Sequence, residues 1–119
     1  MTNTDQSTQS QLGDLVVAIE LELKQLGLWS EKKPSAMALR SQVPFAADQM
    51  TFEQWLQFKF LPQIQQMITA NQSLSFRSNI LPMAQHSFQQ HGASVKRLLN
   101  LIQTFDELSI IMTIQTTDE

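Results

Sequence analysis

The chain of 119 residues contains no cysteine, which excludes disulfide bonds, thiolate catalysis and cysteine-ligated zinc. Its three glycines, Gly13, Gly27 and Gly92, are too widely separated to form a phosphate-cradling loop. No apolar run reaches the ~20 residues that a membrane-spanning helix needs. The N-terminus also lacks the basic start and apolar stretch of a secretory signal. We therefore expect a cytoplasmic protein that does not enter a membrane.

Charge is scarce as well, because only 16% of the residues are charged, below the ~25% of an average protein. Seventeen glutamines take their place, and the formal net charge is -3. The eight basic residues are scattered, with adjacent pairs only at Lys32-Lys33 and Lys96-Arg97. Proteins that bind nucleic acid directly neutralise phosphates with a clustered basic face. We expect no direct contact with nucleic acid.

The first predicted helix has an apolar stripe at the spacing of an amphipathic helix. The stripe consists of Leu12, Leu15, Val16, Ile19, Leu23 and Leu26. Gly27 is placed to end this helix in the left-handed conformation, with Leu28 folding back towards Leu23. Residues 1–9 are polar, and we expect a flexible N-terminus there.

The second predicted helix starts with two local signals. Thr51 and Gln54 have the spacing of a capping box, and Met50 and Trp55 that of a hydrophobic staple. Pro62 lies inside the helix, where it removes a backbone donor, so we expect a kink. An extended connector that contains prolines, from residue 29 to residue 44, joins this helix to the first.

Two further helices complete the predicted fold. The third begins near Pro82 and ends at Gly92, and the fourth begins at Ser94 and carries an apolar stripe. The sequence thus predicts an all-α domain over residues 10–108, a four-helix bundle with the connector packed across it. For residues 109–119 we expect a flexible or loosely packed tail.

No catalytic, cofactor or metal site can be assigned from the titratable residues. His86 and His91 are five residues apart, whereas a metal-binding helical pair is spaced by four. No Asp or Glu stands between Leu56 and Phe105 to complete a site locally. Asp48 precedes a helix start, where a carboxylate interacts favourably with the helix dipole. We expect a protein that is not an enzyme and needs neither metal nor cofactor.

Aromatic residues are concentrated in one stretch, with Phe45, Phe52, Trp55, Phe58 and Phe60 within sixteen positions. Helical spacing assigns most of them to the core, but Phe58 lies away from the stripe. We predict that it contributes to an exposed patch for a partner or an apolar ligand. The candidate patch consists of Trp29, Phe45, Asp48, Trp55 and Phe58.

A longer motif extends from Ser41 to Pro62 and reads S-x-x-P-F-x-x-D-x-M-x-F-x-x-W-L-Q-F-x-F-x-P. It resembles the YqcC-like family of small bacterial all-helical domains of unknown function, over roughly residues 10–108. The resemblance implies a helical bundle and an association with a tRNA pseudouridine synthase, beside which members are often encoded. Where the family has Arg after the helix proline and an acidic residue after the later proline, this chain has Gln63 and Gln85. We predict that these two glutamines form a neutral hydrogen bond between two helices.

Two functions from different classes follow from these observations. The first is a non-enzymatic interaction or accessory module that serves tRNA pseudouridine modification through a protein partner. The second is a helical bundle that binds a small apolar ligand in a pocket walled by Phe45, Trp55 and Phe58, with Asp48 as polar contact. A homo-oligomer is compatible with either function.

Overall fold

A computed structural model describes residues 4–70, 72 and 78–117, with side chains given from residue 9 to residue 112 within these ranges. Every regular element in the described part of the chain is helical, which confirms the all-α prediction. The elements are α1 (Thr4–Gln25), α2 (Ala36–Leu39), a 3₁₀ turn (Pro44–Ala46), α3 (Phe52–Trp55), a π-turn (Leu56–Phe60), α4 (Leu61–Thr69), α5 (Leu81–Ser87), a second 3₁₀ segment (Gln89–Val95) and α6 (Lys96–Thr117).

The end of α1 has the predicted geometry. Gly27 has a φ of 74°, its N–H donates to the carbonyl of Lys24, and the N–H of Leu28 donates to the carbonyl of Leu23. This pair of bonds is the Schellman motif. The start of α1 differs from the prediction, because residues 4–9 of the expected flexible N-terminus are already helical. Extending an existing helix costs little compared with nucleating one, so polar residues can join it.

The aromatic stretch forms one long helical segment made of α3, the π-turn and α4. Thr51 and Gln54 form the predicted reciprocal capping box, with bonds of 3.0 and 3.2 Å. Pro62 is accommodated by the π-turn, in which the N–H of Leu61 donates to the carbonyl of Leu56. The wider turn relieves the clash that the ring of Pro62 would make with the carbonyl four residues earlier.

The last two helical segments also differ in detail from the prediction. Pro82 lies in the first turn of α5 as predicted. Ser94, however, does not cap α6, because its hydroxyl donates to the carbonyl of His91. Over the residues for which we expect a flexible or loosely packed tail, α6 continues to Thr117, and Ser109 and Met112 are buried. Met112 extends the apolar stripe of α6 by another turn, and the hydroxyl of Ser109 accepts from the N–H of Ser78.

The core lies between α1, the α3–α4 segment, α5 and α6, which together make up the four-helix bundle. Glu22 near the end of α1 pairs with Arg97 near the start of α6, so these two helices run antiparallel. Fully buried side chains from all four segments meet there, namely Leu12, Ile19, Leu23, Leu56, Ile64, Phe88, Leu98, Ile102 and Phe105. In the structure, the connector between α1 and α3 covers residues 26–51. It packs over one side of this core and places Phe45 against it.

A candidate binding groove beside Phe45

The connector between α1 and α3 is held to the bundle by a buried glutamine. The side-chain amide of Gln57 donates to the carbonyl of Ser30 and accepts from the N–H of Ser30, both at 2.8 Å. Gln57 belongs to the π-turn, so the turn that accommodates the proline also presents this amide. The adjacent Trp29 packs on the core, and the ammonium of Lys24 lies 5.1 Å from the centre of its ring.

The far end of the connector is closed by Asp48. Its carboxylate accepts from the hydroxyl of Ser41 at 2.6 Å and from the side-chain amide of Gln49 at 3.3 Å. The hydrogen bond from Ser41 holds the pKa of Asp48 below its ordinary value, and that from Gln49 adds to the effect. Lys59 on the π-turn donates to the carbonyl of Ser41 at 3.3 Å. The carboxylate of Asp48 is exposed and serves to close this loop.

Phe45 has a left-handed backbone, with φ 58° and ψ 15°. Ala46 follows with φ 49°. A bulky residue in this region is a conformational outlier that the surrounding structure must impose. The N–H of Ala46 donates to the carbonyl of Val43, and the carbonyl of Ala46 accepts from the N–H of Met50 at 3.0 Å. Ala46 is buried in a small apolar cluster with Met50, and this packing holds the turn in place.

The turn places the ring of Phe45 against the aromatic residues of the α3–α4 segment. The Phe45 and Trp55 rings meet edge to face with centroids 5.0 Å apart. Trp55 in turn stacks on Phe60 at 5.3 Å, and Phe45 meets Phe52 at 5.8 Å. These distances and angles are those that aromatic pairs prefer.

A second wall stands opposite the rings, formed by residues 78–80. The carboxylate of Asp106 on α6 accepts from the hydroxyl of Ser78 and, at 2.9 Å each, from the N–H groups of Ile80 and Leu81. The hydroxyl of Ser109 accepts from the N–H of Ser78 at 2.7 Å. Sequence reasoning did not identify this role of Asp106. Its position four residues after Ile102, on the apolar stripe of α6, is a signal that a carboxylate is buried for a structural reason.

Between the two walls lies a groove of about 290 Å³, which we call the aromatic groove. Phe45 and Trp55 are half-buried in its wall, while Gln63 and Asn79 are exposed at its rim. None of the described residues that line it is charged, and they are Phe45, Trp55, Phe60, Gln63, Ser78, Asn79 and Ile80. The groove therefore offers aromatic surface and neutral amides.

The structure brings only two of the five residues of the predicted patch together in this groove. Phe45 and Trp55 come together in the aromatic groove, whereas Trp29, Asp48 and Phe58 do not line it. Phe58, which belongs to the π-turn, is half-buried and not fully exposed.

The two residues of the predicted polar pair lie on the surface. Gln63 and Gln85 are both exposed, and the side-chain hydrogen bonds of the described residues include none between them. Gln63 lines the aromatic groove instead.

None of the described residues that line this groove is titratable. Among the described residues, no group of three or more His, Asp or Glu side chains is arranged to hold a metal ion. His86 is exposed, and His91 packs with its ring centre 6.0 Å from that of Phe88. None of the helices in the described ranges combines the length and apolarity required to cross a bilayer.

Comparisons with known proteins place these features in a family. A family model described as "tRNA pseudouridine synthase C" (DUF446) matches residues 11–108. An uncharacterized protein of Haemophilus influenzae is 29% identical over 90 residues, which covers 76% of this chain and 84% of that protein. No solved structure matches the chain.

Proposed function

Because the chain belongs to the DUF446 family, described as tRNA pseudouridine synthase C, we propose that it is a non-enzymatic accessory module in tRNA pseudouridine modification. It acts in the cytoplasm through a protein partner, and the partner carries the reaction and the contacts to nucleic acid. The motif from Ser41 to Pro62, which resembles the YqcC-like family, supports the same process.

The aromatic groove is the observation that carries this proposal. Its described lining residues include no carboxylate and no histidine, the groups that most often transfer protons in catalysis. The carboxylates of Asp48 and Asp106 have structural partners, since Asp48 accepts from Ser41 and Asp106 accepts from the N–H groups of Ile80 and Leu81. An aromatic surface whose described lining residues carry no charge suits recognition of another protein.

Co-expression with the tRNA pseudouridine synthase of the same organism tests the proposal. We expect the two chains to elute together from affinity and size-exclusion columns. We also expect the rate of pseudouridine formation in tRNA to differ between the synthase alone and the complex. Pseudouridine formation by the isolated chain would show that it is itself an enzyme. Recovery of only monomeric chain under several salt and pH conditions would rule out the accessory role.

The same groove supports a second candidate, a bundle that binds a small apolar ligand. Phe45 and Trp55 form its wall as that hypothesis requires, although Phe58 and Asp48 lie outside it. The fluorescence of Trp55 in a Trp29→Phe variant, measured against a panel of metabolites, tests this candidate. A saturable change at micromolar ligand favours it over the accessory module, and no response removes it.

A further inference from the structure

We propose that the aromatic groove binds one uncharged aromatic side chain, which a partner protein presents from an exposed peptide segment. The inference names the partner chemistry of the accessory module and therefore rests on the proposed function. Four properties of the groove carry it: its rings, its neutral rim, its size and the strained backbone of Phe45.

The rings of the groove have aromatic surface left for an incoming side chain. Phe45 and Trp55 already contact each other edge to face at 5.0 Å, yet both remain only half-buried. A further ring can add edge-to-face or offset contacts of the same kind. Buried aromatic anchors of this type supply much of the affinity at protein interfaces.

The described rim residues favour an uncharged occupant. Gln63 and Asn79 each offer an amide that donates and accepts, and none of the described lining residues can neutralise a charged group. A charged side chain would lose its hydration in the groove without a compensating ion pair. The two amides suit the N–H and C=O groups of a peptide main chain on either side of an aromatic anchor.

The size and openness of the groove favour a side chain over a free metabolite. The groove of about 290 Å³ is at the lower end of the range of small-molecule sites, about 300–1,000 Å³, and such sites enclose most of their ligand. Its rim residues Gln63 and Asn79 are exposed, so an occupant stays open to solvent on that side. A side chain fits this arrangement because its main chain must leave the site.

The backbone of Phe45 gives independent support. Two consecutive residues other than glycine, Phe45 and Ala46, have positive φ angles of 58° and 49°. Glycine would remove this strain at either position, but a glycine at position 45 would also remove the ring that forms the wall. Strain of this kind is concentrated at binding and catalytic sites.

An NMR titration of the ¹⁵N-labelled full chain tests the inference. The probes are N-acetyl-tryptophanamide, N-acetyl-leucinamide, and two uncharged Gly/Ser/Gln peptides that carry either Trp or Ala at the centre. We expect the indole N–H of Trp55 and the backbone amide of Asn79 to shift saturably with both tryptophan probes. The indole of Trp29 lies outside the groove and serves as the internal control. The tryptophan peptide should bind at least about threefold more tightly than N-acetyl-tryptophanamide, because its main chain reaches the rim.

A matched pair of variants locates the binding. Gln63 and Gln66 are exposed residues of α4, but only Gln63 lines the groove. We expect Gln63→Glu to weaken the tryptophan peptide at least about threefold, because the added carboxylate loses hydration when the ring binds. Gln66→Glu should leave the affinity unchanged. Neither substitution touches the core, so both variants report on binding and not on folding.

Three results would overturn the inference: no saturable shift of Trp55, an equal response to the leucine or alanine probes, or binding of N-acetyl-tryptophanamide without binding of the peptide. The last would make the groove a small-molecule site. If the chain associates with the synthase and Gln63→Glu leaves that association intact, the groove assignment fails and the accessory role stands. If the titration succeeds and no synthase complex forms, the accessory role fails instead.

Discussion

Phe45 and Gln57 illustrate how much of the groove depends on single side chains. Phe45 adopts a strained backbone that places its ring on Trp55. Gln57 satisfies both backbone groups of Ser30 with one amide, and so attaches the connector to the π-turn. A buried backbone group without a partner costs about 1–3 kcal/mol, so this amide matters more than the exposed glutamines around it.

Removal of the Gln57 amide should therefore loosen the connector. We expect Gln57→Ala to lower the free energy of unfolding by about 1.5 kcal/mol, because the N–H and carbonyl of the half-buried Ser30 lose their partners. Urea denaturation measures the change. Gln66→Ala on the exposed face of α4 is the control and should change the stability by less than about 0.5 kcal/mol. Equal effects of the two substitutions would show that the hydrogen bonds between Gln57 and Ser30 contribute nothing to the stability.

Asp48 gives a prediction of pH dependence. Its pKa is lowered, mainly by the hydroxyl of Ser41. Its contribution to stability is therefore complete above the ordinary carboxyl pKa of 3.8 and is lost as the pH falls through the lowered value. We expect Ser41→Ala to raise the pKa of Asp48 towards 3.8 in an NMR titration of the carboxyl carbon. Gln49→Ala, which removes a weaker bond, should raise it less, and the reverse order would contradict this assignment.

At the scale of the elements, two helix ends were predictable because their signals are local. The capping box of Thr51 and Gln54 and the glycine end at Gly27 each involve residues within five positions. The hydrogen bonds of Gln57 with Ser30 and those of Asp106 with residues 78–81 join residues that are 25 to 28 positions apart. A single sequence does not show which residues the fold brings together over such distances, so the groove wall of residues 78–80 was missed.

Gly13 and Gly92 both lie in helical elements, and replacing each of them by alanine should change the stability in opposite directions. Gly13 lies inside α1, and a Cβ added there would have nothing within 4 Å. Gly13→Ala should therefore stabilise the protein by about 0.5–1 kcal/mol, since alanine loses less backbone entropy in a helix. Gly92 has φ 61° and ψ -136°, and Gly92→Ala should destabilise by about 1–3 kcal/mol. Urea midpoints that move in the same direction for both variants would contradict this expectation.

At the scale of the whole molecule, Asp106 connects three parts of the fold. It belongs to α6, binds the first amides of α5, and holds Ser78 in the wall of the aromatic groove. The other wall of the groove is formed by the connector and the α3–α4 segment. The bundle therefore sets the width of the groove through one buried carboxylate on one side and through the Phe45 turn on the other.

A series of substitutions at Asp106 tests this connection. Asp106→Ala leaves the N–H groups of Ile80 and Leu81 without an acceptor, and we expect a loss of about 3 kcal/mol in the free energy of unfolding. Asp106→Asn can keep an oxygen towards those amides while the hydroxyl of Ser78 reverses to accept, so the loss should be about 1 kcal/mol.

Glu107→Gln is the matched control for this series, because Glu107 is the exposed neighbour on α6 and its carboxylate accepts a hydrogen bond from Gln103. We expect a change below about 0.5 kcal/mol in urea denaturation. The indole N–H of Trp55 should shift in Asp106→Ala and stay in place in Glu107→Gln, because only the first changes the opposite wall of the groove. A stability loss in Asp106→Ala without any shift of the Trp55 or Asn79 signals would show that the carboxylate supports the helix start alone and does not set the groove.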